Sequence, residues 1–249
     1  MKILFFFLVC LLNSSVFAQG RGGPPPGWSV GVLAGASHSE YRGIGYRPRI
    51  VPAIRGRFGA FNLEGAGGSV DLLGAGPVSV QFTLALFGGG YNPKRSSYLT
   101  GMSERHSSAH AGLKTSLRLG RGYSVSLGGS HDLLGRSQGL ETEIGLNKMF
   151  FFGPKFQIIT GVSMNRWDRN LVDYYYGVGP MEALADRPAY VGSASVYPSA
   201  RVILTLSLTE KWQSFLIANR RWLGREMRNS PLTSRSGSEF LGLGLSYRF

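Results

Sequence analysis

Four histidines, His38, His106, His110 and His131, are the residues with most scope for chemistry. His106 is followed by Ser107 and Ser108, and Ser130 precedes His131, which is the vocabulary of acyl transfer by a hydroxyl and an imidazole base. Sequence adjacency does not bring the two groups into hydrogen-bonding reach, and no acid follows on the same strand face to orient a ring. His38-Ser39-Glu40 lacks the HExxH spacing that sets two imidazoles on one helix face for a metal. The one cysteine, Cys10, sits in an apolar N-terminal segment, so no disulfide, thiolate metal site or Cys nucleophile is expected beyond it. Gly65-Ala66-Gly67-Gly68 and Gly74-Ala75-Gly76 precede neither a helix nor a Gly-Lys-Ser/Thr, which a phosphate loop requires. Glycines at this density let strands bend instead. The histidines read as loop or interior polar residues, and the sequence implies neither an enzyme nor a cofactor.

The elements that must position these residues are set by composition. Of 249 residues only 16% are charged, against the ~25% of ordinary soluble proteins. Glycine, at 36 residues, is about twice its usual share. Lys plus Arg number 27 against 14 for Asp plus Glu, a formal charge of +13. The basic residues are scattered rather than grouped with stacking aromatics, which argues against a nucleic-acid partner.

Met1-Lys2, the apolar run 3–12, and the small residues Val16 and Ala18 fit a secretory signal over 1–18, cleaved before Gln19. A helix needs ~20 apolar residues to span hydrocarbon, more than this run offers. Residues 19–27, with Pro24-Pro25-Pro26, read as a short stiff leader. An exported chain without a later apolar helix is either soluble outside the cytoplasm or an outer-membrane barrel, since only closed barrels satisfy strand backbone in lipid.

From Trp28 the pattern has period two. Val78, Val80, Phe82, Leu84 and Leu86 alternate with Ser79, Gln81 and Thr83, and Leu113, Leu117 and Leu119 alternate with Lys114, Ser116 and Arg118. Similar alternation runs through 123–128, 140–147, 156–165 and 201–208, the signature of a transmembrane barrel. Strands near 28–37, 49–72, 77–90, 106–119, 122–134, 138–150, 154–168, 190–208, 211–224 and 238–249 make ten, forming an all-β antiparallel barrel over 28–249. Turns at 73–76, 120–121, 152–153 and 209–210 then fall at the periplasmic end. Loops 38–48, 91–105, 135–137, 169–189 and 225–237 fall outside. The segment 49–72 is long for one strand and shifts phase around Phe61 and Leu63. It holds either a bulge or a tight turn near Phe61-Asn62, and with one more division, within 190–208 for example, the count becomes twelve. Twelve would set some long loops in the periplasm.

The last strand carries Leu241, Leu243, Leu245, Tyr247 and Phe249 on one face, and a terminal Phe on such a strand resembles the assembly signal read by the barrel assembly machinery. The alternative is a last edge strand of a soluble sandwich, which would share the alternation. Arg55, Arg57, Lys114, Arg118, Glu141 and Glu143 are interior candidates. They either pair and fill a narrow barrel or line a narrow channel for small solutes. Arg225, Arg228 and Arg235 are expected at the outer side, where they either contact lipopolysaccharide phosphates or serve as solubilising loop charges.

At Asp173-Tyr174-Tyr175-Tyr176-Gly177-Val178, then Glu182-Ala183, Pro188-Ala189-Tyr190 and Ser230-Pro231, the sequence resembles the MltA-interacting protein family (MipA/OmpV). Arg57-Phe58, Tyr98-Leu99-Thr100-Gly101-Met102, Trp212, Leu223-Gly224 and the closing Gly244-Leu245-Ser246-Tyr247-Arg248-Phe249 agree in order. Gly179 stands where the family commonly has Ser, and the loops are short and basic. The resemblance implies an outer-membrane barrel that acts as a scaffold or envelope-maintenance protein, linking periplasmic murein hydrolase and synthase. Some members are linked to adhesion or antibiotic response.

Overall fold

Residues 27–249 are described by the computed structural model; the expected signal 1–18 and the leader up to residue 26 lie outside the described residues. Twelve antiparallel strands close into one barrel. They are β1 (Trp28–His38), β2 (Tyr46–Phe58), β3 (Phe61–Glu64), β4 (Gly67–Ala75), β5 (Val78–Phe87) and β6 (Ser108–Gly120), followed by β7 (Tyr123–Asp132), β8 (Leu140–Phe152), β9 (Phe156–Trp167), β10 (Ser195–Ser207), β11 (Trp212–Trp222) and β12 (Gly237–Arg248). Each strand pairs with the next, and β12 closes on β1 from Ser29↔Arg248 to His38↔Glu239. Two short helices, α1 (Arg169–Tyr176) and α2 (Arg225–Asn229), lie in the connections.

The ten-strand expectation is corrected here. The segment 49–72 is neither one strand nor two: it holds most of β2, all of β3 and two-thirds of β4. The first division falls at Gly59-Ala60 rather than at Phe61-Asn62, and the second at Gly65-Ala66 rather than within 190–208. Gly59 and Gly65 have φ of +57° and +54°, the left-handed region that a two-residue hairpin turn needs. Because β3 has only four residues, the added hairpin rises part-way up the wall and returns. Both termini therefore stay at the short-turn end, and no long loop moves into the periplasm.

The outward rows are apolar: Val32, Leu113, Leu117, Leu127, Ile144, Val162, Leu241 and Leu243 are all exposed on the barrel's outside. Inward rows carry Ser124, Ser126, Asn165 and Ser246, which are buried. That is the alternation a lipid-facing wall requires. Aromatics gather at the short-turn end, where Trp212 meets Tyr247 edge-on at 5.1 Å and Tyr247 meets Phe249 at 5.2 Å. Such rings are favoured at a membrane interface. The long connections, 88–107, 168–194 and 223–236, all lie at the opposite end, the outer one in this architecture.

Candidate functional site: a sealed outer mouth

The outer loops do not hang free. They fold over the barrel and bury Tyr41, Tyr91, Leu99, Met102, Leu171, Tyr175, Tyr176, Val178, Met227 and Leu232 against Phe87, Trp167 and Tyr197 from the strand ends. Helix α1 is the centre of this cap. Asp168 starts it as N-cap, its carboxylate accepting from the Leu171 N–H at 2.9 Å. Spacing then sets Leu171, Val172, Tyr175 and Tyr176 on one buried face. The sequence reading missed this helix, although Asp168 followed by apolar residues at i+3, i+4, i+7 and i+8 is its signal.

The resemblance motif lies in α1 and just beyond it. The Tyr176 hydroxyl donates to Glu40 at 2.7 Å, and Arg221 forms an ion pair with the same carboxylate. The Tyr41 hydroxyl donates to the Tyr175 carbonyl at 3.1 Å, and the Ser230 hydroxyl donates to the Tyr176 carbonyl at 2.6 Å. Asp173 accepts from the Gly192 N–H at 2.8 Å. Val178 and Tyr190 form a two-residue bridge, and the Tyr190 hydroxyl donates to the Glu226 carbonyl at 2.6 Å. Pro231 follows Ser230 and is half-buried, and the N–H of the next residue, Leu232, donates to the Ser230 hydroxyl. Gly177 takes a backbone bond to the Asp173 carbonyl that ends the helix. Tyr174 packs on Tyr175, and its hydroxyl accepts from the His106 N–H at 3.0 Å.

Electrostatics tighten the same cap. Burial pushes the Tyr41 hydroxyl well above its ordinary range, with Tyr176 and Glu40 adding to it. Burial likewise pushes Tyr91 up to about 12, and burial with the Glu226 carboxylate does the same to Tyr190. The Tyr41 and Tyr190 hydroxyls serve as donors and not as acids. Arg187 is 1% exposed, its guanidinium donating to the carbonyls of Tyr98, Thr100 and Glu182. Burial raises the Glu182 carboxyl, but donation from Ser103 and Gly179 and the Arg105 guanidinium outweigh it and hold it below the carboxylate range. Glu40, Glu182, Arg187 and Arg221 had been singled out by no chemical motif, because what defines them is contact across more than 70 positions of chain.

Below the cap, Lys114 lies 3.6 Å from Glu143 across Gly128, and Arg55 lies 3.7 Å from Glu64. Arg57 pairs with Asp71 at 3.2 Å near the periplasmic mouth, where Arg118 donates to the Gly76 carbonyl. Glu141 accepts from the Trp167 indole and the Tyr197 hydroxyl, each at 2.9 Å. A cavity of about 190 Å³ remains between the cap and these groups, lined by Glu143, Asn147, Asn165 and Arg201 among others.

His110 stacks on Phe87 with ring centroids 3.6 Å apart, and its Nδ1 lies 3.4 Å from the Ser130 hydroxyl. The Asp132 carboxylate beside them is taken up by the Ser108 hydroxyl and by the N–H groups of Leu134, Ser137 and Gln138. Asp132 therefore orders a loop turn and does not orient the imidazole. Arg225 and Arg228 on α2, and Arg235 beyond it, are exposed at the outer end. Leu241, Leu243, Leu245 and Phe249 face outward, and Tyr247 is half-buried in the aromatic cluster at the opposite end.

Residues 30–249 match the model of the family described as MltA-interacting protein MipA. The chain is 26% identical over 160 residues to outer membrane protein Omp26La of Vibrio anguillarum, across 64% of this chain and 61% of that protein. It is 25% identical over 160 residues to outer membrane protein OmpV of Vibrio cholerae, with the same shares of each. The match thus spans 61% of the length of each relative. Among solved structures, an outer membrane channel from Pseudomonas putida F1 superposes with a TM-score of 0.50 at 10% identity, over 96% of this chain and all of that one.

Proposed function

The chain belongs to the MltA-interacting protein MipA family, an outer-membrane β-barrel by sequence and fold, and on that premise we propose that it anchors murein-processing enzymes at the periplasmic face instead of conducting solutes. The family description names MltA as the partner, and a murein hydrolase held beside a synthase is the chemistry that name suggests for this chain. The observation that carries the reading is the seal at the outer mouth. A pore needs a continuous wet path, but here four loops and α1 bury an aromatic plug. The interior charges beneath it are engaged with one another. A scaffold needs exposed surface and no catalytic set. The periplasmic end presents short turns carrying Arg121, Lys155, Glu210 and Lys211 around the aromatic belt.

Capture of a purified periplasmic lytic hydrolase by the refolded barrel tests this. Capture is expected to survive replacement of Lys114 and Glu143, which lie inside. It should fall when the turns at 121–122, 153–155 and 208–211 are recast with neutral residues. Failure of the wild-type barrel to capture the hydrolase would overturn the reading. A narrow channel is the competing reading, since the cavity under the cap is polar; it would require the cap to lift.

A further inference from the structure

The barrel is hydrogen-bonded around its full circumference only in its lower part. Strand β2 pairs with β1 along its whole length, but β3 meets it only from Arg55↔Glu64 to Phe58↔Phe61. Among the described residues no strand pairs with the other edge of 46–53. On the far side, β4 leaves β5 at Gly67↔Ala85, and the Leu86 N–H reaches the Ala66 carbonyl at the hairpin tip. At ~4.8 Å per strand spacing, the β3–β4 hairpin holds β2 and β5 about 14 Å apart. Above its tip the strand wall has a notch, bordered at Arg47 and Arg49 by residues 89–92 and 104–107 of the loop after β5.

The notch edge is built against occupation by another strand. The Ile54 carbonyl accepts from the Gly65 N–H at 2.7 Å, so even-numbered residues of β2 direct their backbone groups away from β1. Pro48 and Pro52 share that parity and remove two of the donors that an added strand would use. Inward side chains on the same strand change character in a single step: Arg47 and Arg49 lie above, Val51 and Ala53 below. Around the arginines is a cavity of about 160 Å³, bordered also by Arg95, Arg105 and Glu104. Around Val51 is an apolar cavity of about 90 Å³, lined by inward residues such as Leu33 and Phe215 and also by Pro52, Ile54 and Gly65 at the notch edge. The Arg49 Nε–H donates to Ser37 at 3.0 Å, which sets its guanidinium against the upper cavity.

Cationic above, apolar below and set at an unpaired strand edge of the wall, the notch is the complement of one amphiphile. We propose that the notch between β2 and β5 holds a phosphorylated lipid of the outer leaflet, its phosphate against Arg47, Arg49 and Arg95 and one acyl chain entering the wall beside Val51 and Leu33. Guanidinium forks suit phosphate oxygens, and the apolar interior replaces the bilayer as surroundings for the chain. The site is independent of the anchoring proposed at the periplasmic end.

The test uses the full chain folded in phosphatidylcholine vesicles, equilibrated with lipid A in detergent, re-isolated, and scored for bound lipid by native mass spectrometry. Wild type is expected to retain lipid A, to release it when both phosphates are removed enzymatically, and to keep it in millimolar inorganic phosphate. Arg47→Ala with Arg49→Ala should lower occupancy roughly tenfold or more, the equivalent of about 1.4 kcal/mol, while the protein still shows heat-modifiable migration. Val51→Trp, which fills the lower cavity, should lower it as well. Equal retention by the arginine variant, or equal retention of dephosphorylated lipid, would overturn the proposal. Displacement by inorganic phosphate would mean a free-anion site and would also overturn it. So would loss of lipid A on Arg225→Ala, Arg228→Ala and Arg235→Ala in place of the notch variant, or a dimer in its place.

Discussion

The Tyr176 hydroxyl donates to Glu40 at 2.7 Å across 136 positions of sequence, tying helix α1 to the first outer loop. Arg221 from β11 completes the group. One carboxylate therefore joins three parts of the chain directly over the barrel interior.

Tyr176→Phe keeps the ring in its buried place but leaves Glu40 one donor short. Removing a hydrogen bond to a buried charge costs about 1.5–3 kcal/mol. Trypsin cleavage at Arg169 and Arg225 in folded protein should accelerate accordingly, with the barrel still heat-modifiable. An unchanged cleavage rate would show that the apolar packing alone holds the cap.

Gly88 has φ +86° and faces the Tyr175 ring, so close that a Cβ would meet the Tyr175 hydroxyl. Gly88→Val adds both a clash and a strained backbone. Near-ultraviolet circular dichroism, which reads fixed aromatic rings, should lose intensity while far-ultraviolet strand signal persists. Retained near-ultraviolet signal would contradict the packing of α1 on the end of β5.

Acid should loosen one edge of the cap. Glu182 is held below the carboxylate range in the folded state, so its contribution is present above its unfolded pKa of ~4.3 and fades as pH falls through the lower folded value. Pepsin should therefore cut within 97–106 progressively as pH drops below ~4. Glu182→Gln should be cut already at pH ~5, because the Arg105 pair is gone at every pH. Identical profiles for the two proteins would count against Glu182 as the holding group.

Inside the barrel, Lys114 and Glu143 have side chains only 11% and 26% exposed. Lys114→Met alone leaves a partly buried carboxylate without its cation and should destabilise by about 2 kcal/mol or more, whereas Lys114→Met with Glu143→Met should recover most of that. Urea unfolding midpoints in lipid vesicles decide it. Additive losses in the double variant would exclude the pairing.

Much of this fold was legible because alternation over ten or more residues needs no tertiary information. β6, β8, β9 and β12 show it plainly, and the closing Leu241–Leu243–Leu245 row faces lipid in the structure. The β3–β4 hairpin was not legible as such. Four residues give only two outward and two inward side chains, too few to establish a period, and glycines at 59 and 65 serve a turn and a bend equally well by composition. The motif around Tyr176 could be noticed as a string of letters. Ser230 could be noticed too, but not as its partner, and Glu40 and Arg221 carried no such signal, since only loop folding brings them together. The wall notch was equally hidden: Pro48 and Pro52 become meaningful once their parity relative to Ile54 is known.

Conductance reports whether the barrel is stoppered. Heat-modifiable, folded protein inserted in a planar bilayer should stay silent, and opening the cap with Tyr176→Phe combined with Gly88→Val should raise conductance from that baseline. Discrete steps from the wild-type protein, shifting in ion selectivity when Lys114 and Arg118 are replaced by Glu, would mean an open lumen and make the barrel a channel.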